Sequence, residues 1–378
     1  MAQIFENSIP GIGQLDHKLK QFQGLVRMDD LLFAFLSTDN AHRQAAEHAF
    51  AQQKQANPRN VLEQLCQAVS NSTSEANRSL AAVLLRGIVV REPKLWGALS
   101  VDEVEHVRTL ILECLMRETV GHVQRKIANL AASHAKLSPW PALMKGVVQL
   151  SQSSEFRHNE LSLFLVDKLA EYIPEVLKKE LSTVGNIIEP FLVGSRGDMK
   201  TRAVACQALC SVVFEMSAAD GETGQEFCRG VNRVAEFLVA ALAAGEEQLL
   251  QDVLTSLQQI SKERSQLLHS SFVPLCEVCT AICHADPNTI EGGTKVLALG
   301  IIIDLHSLQQ SASFATPATR TNCLLLCMKL LTQVDDEDDT VSSCTRPEGE
   351  ENGFGDVAGT PPGSMRSLKY AQIHTEIH

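Results

Sequence analysis

A chain of 378 residues in which 44% of the side chains are hydrophobic but only 5% aromatic can bury a large interior built from Leu, Val, Ile and Ala rather than rings. That composition suits helix packed on helix and disfavours a strand-rich fold, while the length points to several domains or a repeat array. The net charge of −12, from 33 Lys and Arg against 45 Asp and Glu, argues against direct nucleic-acid binding and for basic protein partners. Residues 331–378 hold 10 acidic and 3 basic side chains, a net of −7, which leaves only −5 on the rest.

The opening MAQIFENSIPGIGQLD has no basic stretch followed by an apolar run. The longest internal apolar run, VLALGIII, is far short of the roughly 20 residues of a membrane span, so no membrane partner is expected. The 11 cysteines are an odd number and most fall within helical apolar patterns, which predicts reduced thiols in a cytosolic or nuclear protein. The N-x-S/T matches at Asn71 and Asn77 then carry no glycosylation, and Arg196-Gly197-Asp198 reads as a turn.

From Leu31 to Leu331 apolar residues recur at helical spacing, as in Val61, Leu62, Leu65, Cys66 and Val69. Short breaks carry helix punctuation: Ser37 to Asn40, Asn57-Pro58, Ser138-Pro139, Gly194 to Asp198 and Ala285 to Asn288. Pairing successive helices predicts hairpins over 26–54, 59–91, 100–136, 139–173, 176–217, 222–264 and 269–311, with a lone outer helix over 317–333. The period, roughly 35 to 50 residues, is that of a helical solenoid, in which each pair leaves an apolar face for its neighbours to cover.

Within these pairs IIEPFLVGSRGDMKTRAVACQAL places Pro190 in an outer helix, Asp198 in the turn and Arg202 four positions on. Pro274 repeats the first feature, and Asp39 with Arg43 the second and third. The arrangement resembles HEAT repeats, in which the proline bends the outer helix and the Asp and Arg cap and pair along the inner helices. The implied fold class is all-α, a HEAT-repeat α-solenoid forming a right-handed superhelix of antiparallel helix pairs.

LLFAFLSTDNAHRQAAEHAF followed by VLEQLCQAVSNSTSEANRSLAAVLLRGIVV, with the A-A-V-L-L-R motif at Ala81 to Arg86, resembles the first two repeats of karyopherin-beta (importin-beta) nuclear transport receptors, especially the importin-five or importin-beta-three branch. VQRKIANLAASHAK continues the likeness with Arg125 and Lys126, and Asp335, Asp336, Glu337, Asp338 and Asp339 resemble an acidic insertion in the eighth repeat. The resemblance implies a receptor that shuttles between cytoplasm and nucleus. It would bind Ran-GTP through inner helices of its first repeats, FG nucleoporins through shallow apolar slots between outer helices, and basic nuclear-localisation-signal cargo on its concave face. Arg43, Asn77, Arg78, Arg86, Arg125 and Lys126 are the expected Ran-facing set; the plain alternative for each is a solvated or ladder-forming group. The implied division is an extension at 1–25, repeats one to four at 26–173, repeats five to seven plus an outer helix at 174–334, and an acidic stretch and tail at 335–378. Another class of HEAT scaffold, a phosphatase or chromosome-complex subunit without Ran binding, is the competing reading.

Cys276, Cys279, Cys283 and His284 have a spacing that could suggest zinc, but the three cysteines share the face of Phe272 and Leu275, so they read as core and no metal is expected. The run Asp335 to Asp339 lacks the Gly and distant Glu of an EF-hand; it reads as a solvated linker or as an electrostatic trap for a basic surface. No phosphate-binding Gly loop, G-x-S-x-G or paired-His signature occurs, so neither a cofactor nor enzymatic activity is expected. After Asp339 the sequence becomes rich in Gly and Pro without apolar periodicity. It is expected to be disordered, making the chain an incomplete receptor whose last outer helix (Leu324, Leu325, Cys327, Met328, Leu331) lacks an inner partner.

Overall fold

The computed structural model describes residues 27–97, 99–217, 220–308 and Leu325. The described residues form helices and turns, with no strand among them. The first hairpin is α1 (Met28–Phe35) and α2 (Asn40–Ala56), followed by α3 (Pro58–Asn71) and α4 (Glu75–Arg91). A short α5 (Pro93–Trp96) leads to the pair α6 (Val101–Arg117) and α7 (Gly121–Ala135), then α8 (Pro141–Gln152) and α9 (Phe156–Tyr172). Beyond the short α10 (Pro174–Leu177) come α11 (Leu181–Leu192) with α12 (Met199–Phe214), α13 (Gly221–Ala244) with α14 (Glu247–Arg264), and α15 (Phe272–His284) with α16 (Gly292–Leu308). The expected outer helix over 317–333, apart from Leu325, and the acidic stretch Asp335 to Asp339 lie outside the described residues.

The helix starts follow directly from sequence. Asp39 accepts from the Ala41 amide at 2.9 Å, Asn57 from Asn60 at 3.2 Å, and Asp198 from Thr201 at 2.8 Å, each supplying an acceptor to an otherwise unpaired amide of the first turn. Ser100 and Glu103 form a reciprocal capping box at the start of α6. At the other end, Gly245 closes α13 in the left-handed region at φ 72°, where a side chain would be strained.

The HEAT-like prolines sit near the ends of their outer helices. Pro190 is in the last turn of α11, and Pro274 is in the first turn of α15, where no intrahelical hydrogen bond is lost. Asp39 and Asp198 do cap, and Arg43 and Arg202 donate to backbone carbonyls of their own hairpins, Ser37 at 2.8 Å and Leu192 at 3.0 Å, while the Arg202 guanidinium also lies 5.8 Å from the ring centre of Phe237 in α13.

Two rows organise the stack. The inner row runs α4, α7, α9, α12, α14, α16 and the outer row α3, α6, α8, α11, α13, α15, and the inner helices pack on one another far more closely than the outer ones. Tight inner and looser outer packing curves the stack with the inner row on the concave side. One continuous core, from Met28 to Leu305, fills the space between the rows. Aliphatic side chains dominate it, and Ala128, Ala131, Ala205 and Ala208 let inner helices approach closely.

The first hairpin departs from the row order. Helix α1 packs on α4 as well as α3, whereas α2 lies along α1 and α3 without comparable packing on α4. The reason is that α1 is apolar on two sides: Met28 and Leu32 enter the main core, while Leu31 and Ala34 form a small separate cluster with Ala46 and Ala49 of α2. Asn77 ties the arrangement, its side-chain amide donating to the Asp29 carbonyl at 3.2 Å and to Asp29 Oδ1 at 3.3 Å.

An 18-residue window within Glu247–His284 reaches the mean hydropathy of a membrane span, 1.3. In the fold that stretch is an inner helix, a 3₁₀ segment at Ser265–Ser271 and an outer helix, whose apolar residues face the common core.

Candidate partner-binding face

The inner helices run parallel, as their cross-links show. Arg86, late in α4, donates to Ser133 Oγ of α7 at 3.0 Å and to the Tyr172 hydroxyl of α9. Ser211 of α12 donates to Asp167 of α9, and Ser261 of α14 to Asp304 of α16 at 2.7 Å. Late positions therefore meet late positions, and the helix amino termini line one edge of the concave face.

The six residues expected to face Ran separate into three environments. Arg43 is on α2, outside the inner row, and holds the Ser37 and Thr38 carbonyls. Arg78 repeats that contact with the Ser72 carbonyl at 3.0 Å and adds a two-toothed pair with Glu118, Nε to Oε2 at 2.7 Å and Nη2 to Oε1 at 3.1 Å. The pair is largely buried, at 16% and 6% side-chain exposure. The hydrogen bond to Glu118 raises the Arg78 pKa. Burial pushes Glu118 toward neutrality, but the Arg78 hydrogen bond and the Val120 and Thr119 amides outweigh it and hold the carboxyl below its usual range. Asn77 is buried and bound to Asp29. Arg86 spans three helices and is half-buried. Of the six only Arg125 and Lys126, side by side on α7, are exposed; Arg125 lines the concave groove, 5.8 Å from the Phe164 ring centre. The structure leaves Arg125 and Lys126 exposed early on α7, holds Arg86 at the late end of the inner row beside Ser133, and puts Arg43, Asn77 and Arg78 to structural use.

Sequence reading missed the main concavity of this face. A groove of about 990 Å³ crosses α7, α9, α12 and α14, floored by Phe164 and Phe214 and bordered by Arg125, Arg157, Lys200 and Glu215. Within it Lys168 lies 3.2 Å from Asp167 and 3.0 Å from Glu171; burial lowers its pKa, but the two carboxylates overcome that and raise it. Lys200 pairs with Glu160 at 3.3 Å. No motif marks these residues. The available signal was their position on the polar face of successive inner helices.

Between outer helices there are shallower slots. One of about 550 Å³ between α6 and α8 is lined by Leu112, Met116, Leu143, Val147 and Leu150. Gly146 permits it, since a Cβ there would lie 3.3 Å from Leu112 Cδ2. Another, about 520 Å³, lies between α13 and α15 beside Val239, Pro274 and Val278.

The cysteines behave as core residues. Cys276, Cys279 and Cys283 are buried in the apolar interior, and Cys283 Sγ donates to the Lys295 carbonyl at 3.6 Å. Burial pushes the Cys66 and Cys210 thiols up to about 12, which keeps them protonated and unreactive. Among the described residues no group of three or more His, Cys, Asp and Glu side chains is placed to hold a metal.

A stack of helical hairpins with a grooved concave face defines a helical-repeat solenoid, and comparison with known proteins agrees. A family model described as "IPO5-like, TPR repeats" matches residues 114–278. Importin-4 of Mus musculus is 29% identical over 118 residues, 30% of this chain and 11% of the relative. The solved structure of Kap121p bound to Ste12p superposes with a TM-score of 0.67 at 16% identity, over 90% of this chain and 32% of that one. Kap121p bound to RanGTP gives a TM-score of 0.62 at 16% identity, over 78% of this chain and 26% of that one. The matches thus span about a tenth of importin-4 and up to a third of Kap121p. Residues 114–278 resemble the importin-five-like family, and the chain shares the solenoid fold of Kap121p.

Proposed function

We propose that the chain is a nuclear import receptor region, a binding scaffold rather than an enzyme, that engages Ran-GTP on its first inner helices, FG nucleoporins on its outer slots and basic cargo on its concave face. Such a protein shuttles between cytoplasm and nucleus. The observation carrying this reading is the unbroken row of parallel inner helices in the fold of Kap121p, a protein solved with RanGTP bound. Arg125 and Lys126, exposed on α7, are the strongest contact candidates of the expected set. The apolar slots beside Leu112 and Val239 suit single aromatic side chains of nucleoporin repeats.

The test is a pull-down with Ran locked in the GTP state against Ran-GDP. Selective capture of the GTP form, weakened at least tenfold by Arg125→Glu with Lys126→Glu at unchanged helicity, supports the reading. Equal capture of both forms would favour a scaffold without Ran binding.

A further inference from the structure

The first long inner helix, α4, presents an apolar surface where its successors present polar groups. Apart from the terminal Glu75 and Arg91, its exposed residues are Ala76, Val83 and Val90, spaced seven apart. They form one stripe on the side opposite the buried Leu85. Val83 is 44% exposed and Val90 56%, and Leu80 borders the stripe half-buried. Gly87 lies between the two valines, and a Cβ added there would meet nothing within 4 Å, so the helix surface is dented at that point. Elsewhere in the row the exposed positions are polar: His122, Arg125 and Lys126 on α7, and Gln248, Gln251, Thr255 and Gln259 on α14.

A segment of the chain itself matches this stripe in pattern, length and position. Residues 1–26 lie outside the described residues, and within them Leu15, Leu19, Phe22 and Val26 recur at helical spacing among polar neighbours. A helix this short does not persist in water without a surface to cover its apolar face. From Leu15 to Val26 it would extend ~18 Å, against ~21 Å from Ala76 to Val90. The point of attachment fits as well. Asp29 accepts from the side-chain amide of Asn77 in the first turn of α4, and about 10 Å of chain separates Val26 from that contact. Arg27 is extended, at φ −58° and ψ 142°, so the chain turns off the axis of α1 there. Attached so closely, the segment has an effective concentration on the order of millimolar, and a contact too weak to join separate molecules suffices.

We propose that residues 15–26 dock as an amphipathic helix along α4 and antiparallel to it, with Phe22 against Leu80 and Val83, Leu19 over Gly87 and Leu15 against Val90. The polar side of the segment, with His17, Lys20 and Gln21, then replaces the apolar stripe on the surface. The docking is intramolecular and needs no partner. Its consequence, that a ligand of the first inner helices must displace residues 15–26 to bind, rests on reading that face as a binding surface.

The experiment is amide hydrogen exchange of the full chain, read by mass spectrometry over residues 15–26. Exchange there is expected to be at least about tenfold slower in the wild type than in Val83→Asp with Val90→Asp, a pair chosen because both valines are exposed and α4 keeps its core contacts. Thr255→Asp with Gln259→Asp, exposed on α14, should leave the protection intact, and the protection should not vary over a tenfold range of protein concentration. If the acidic pair on α4 disturbs the circular dichroism, Val83→Gln with Val90→Gln repeats the test with uncharged helix formers and should speed exchange several-fold. Fast exchange of residues 15–26 in the wild type, or full protection in the α4 variants with an unchanged helical spectrum, would overturn the proposal. So would protection that grows with concentration, the mark of a second copy supplying the segment. Failure of Ran capture alone would leave it intact.

Discussion

The inner and outer rows of this solenoid are built from helices of similar length and composition, yet they are held together differently. Inner helices are cross-linked by polar groups at matching positions, Ser211 to Asp167 and Ser261 to Asp304, and Arg78 of α4 reaches Glu118 in the turn before α7, over closely approaching alanines. Outer helices meet through aliphatic side chains and leave slots between them, with Val239 and Val273 projecting into solvent. The inner row therefore carries the cohesion between repeats, and the outer row has freedom to vary its surface. In a stack whose stability is the sum of nearest-neighbour interfaces, each inner cross-link bears on the whole array.

The strongest challenge to that contrast is Glu118→Ala. It strands the largely buried Arg78 guanidinium and removes the acceptor of the Thr119 and Val120 amides at the entry to α7. Breaking one side of a buried pair costs about 3–5 kcal/mol, and urea unfolding should register a loss of that order. A change below about 1 kcal/mol would mean that the inner row is not the cohesive one.

A second, somewhat smaller effect concerns pH. His134 is fully buried between Trp96, with ring centres 4.6 Å apart, and Trp140, at 5.3 Å. Burial, aided by the nearby Arg108 guanidinium, lowers its pKa to about 4. A folded-state pKa below the unfolded value of 6.5 means that the unfolded chain takes up the proton first. Its contribution is complete above about pH 6.5 and falls away as the pH drops toward 4, by roughly 3 kcal/mol in all. Denaturation midpoints at pH 7.5 and pH 5 should differ in the wild type, and His134→Phe should flatten that difference; an unchanged pH dependence in the variant would exclude His134 as its source.

The smallest effect is expected on the outer row. Val239→Ser and Val273→Ser remove side chains that are 56% and 60% exposed, and each should alter stability by no more than about 0.5 kcal/mol. The Val239 variant should nevertheless weaken capture of an FG-repeat peptide if the α13–α15 slot serves nucleoporins, while the Val273 variant, outside that slot, should not. Retained binding by the Val239 variant would move that function elsewhere.

Helix positions were legible in the sequence because burial on one face imposes a period and because Asp39, Asn57, Ser100 and Asp198 announce helix starts chemically. The roles of individual arginines were not. Arg78 and Arg125 occupy similar early positions on neighbouring inner helices, but a partner 40 residues downstream engages the first while the second stays exposed. Asn77 reads as polar surface until α1 is laid against it. Its burial, like the displaced path of α2, follows from α1 being apolar on two faces, which an eight-residue segment is too short to reveal by periodicity. The concave groove was hidden for a related reason. Parallel stacking aligns residues from hairpins that are separated along the chain, and no single hairpin contains the groove.

The sandwich around His134 also determines how unfolding of this protein will look spectroscopically. Both tryptophans of the chain, Trp96 and Trp140, flank that one imidazole. Intrinsic emission is therefore a local gauge placed where the third hairpin joins the fourth, blind to hairpins nearer either end. A solenoid that unzips from an end would lose ellipticity before its emission shifts, whereas one that melts in concert would show coincident curves. Native fluorescence together with circular dichroism thus times the arrival of an unfolding front at a known point in the array, with no label introduced.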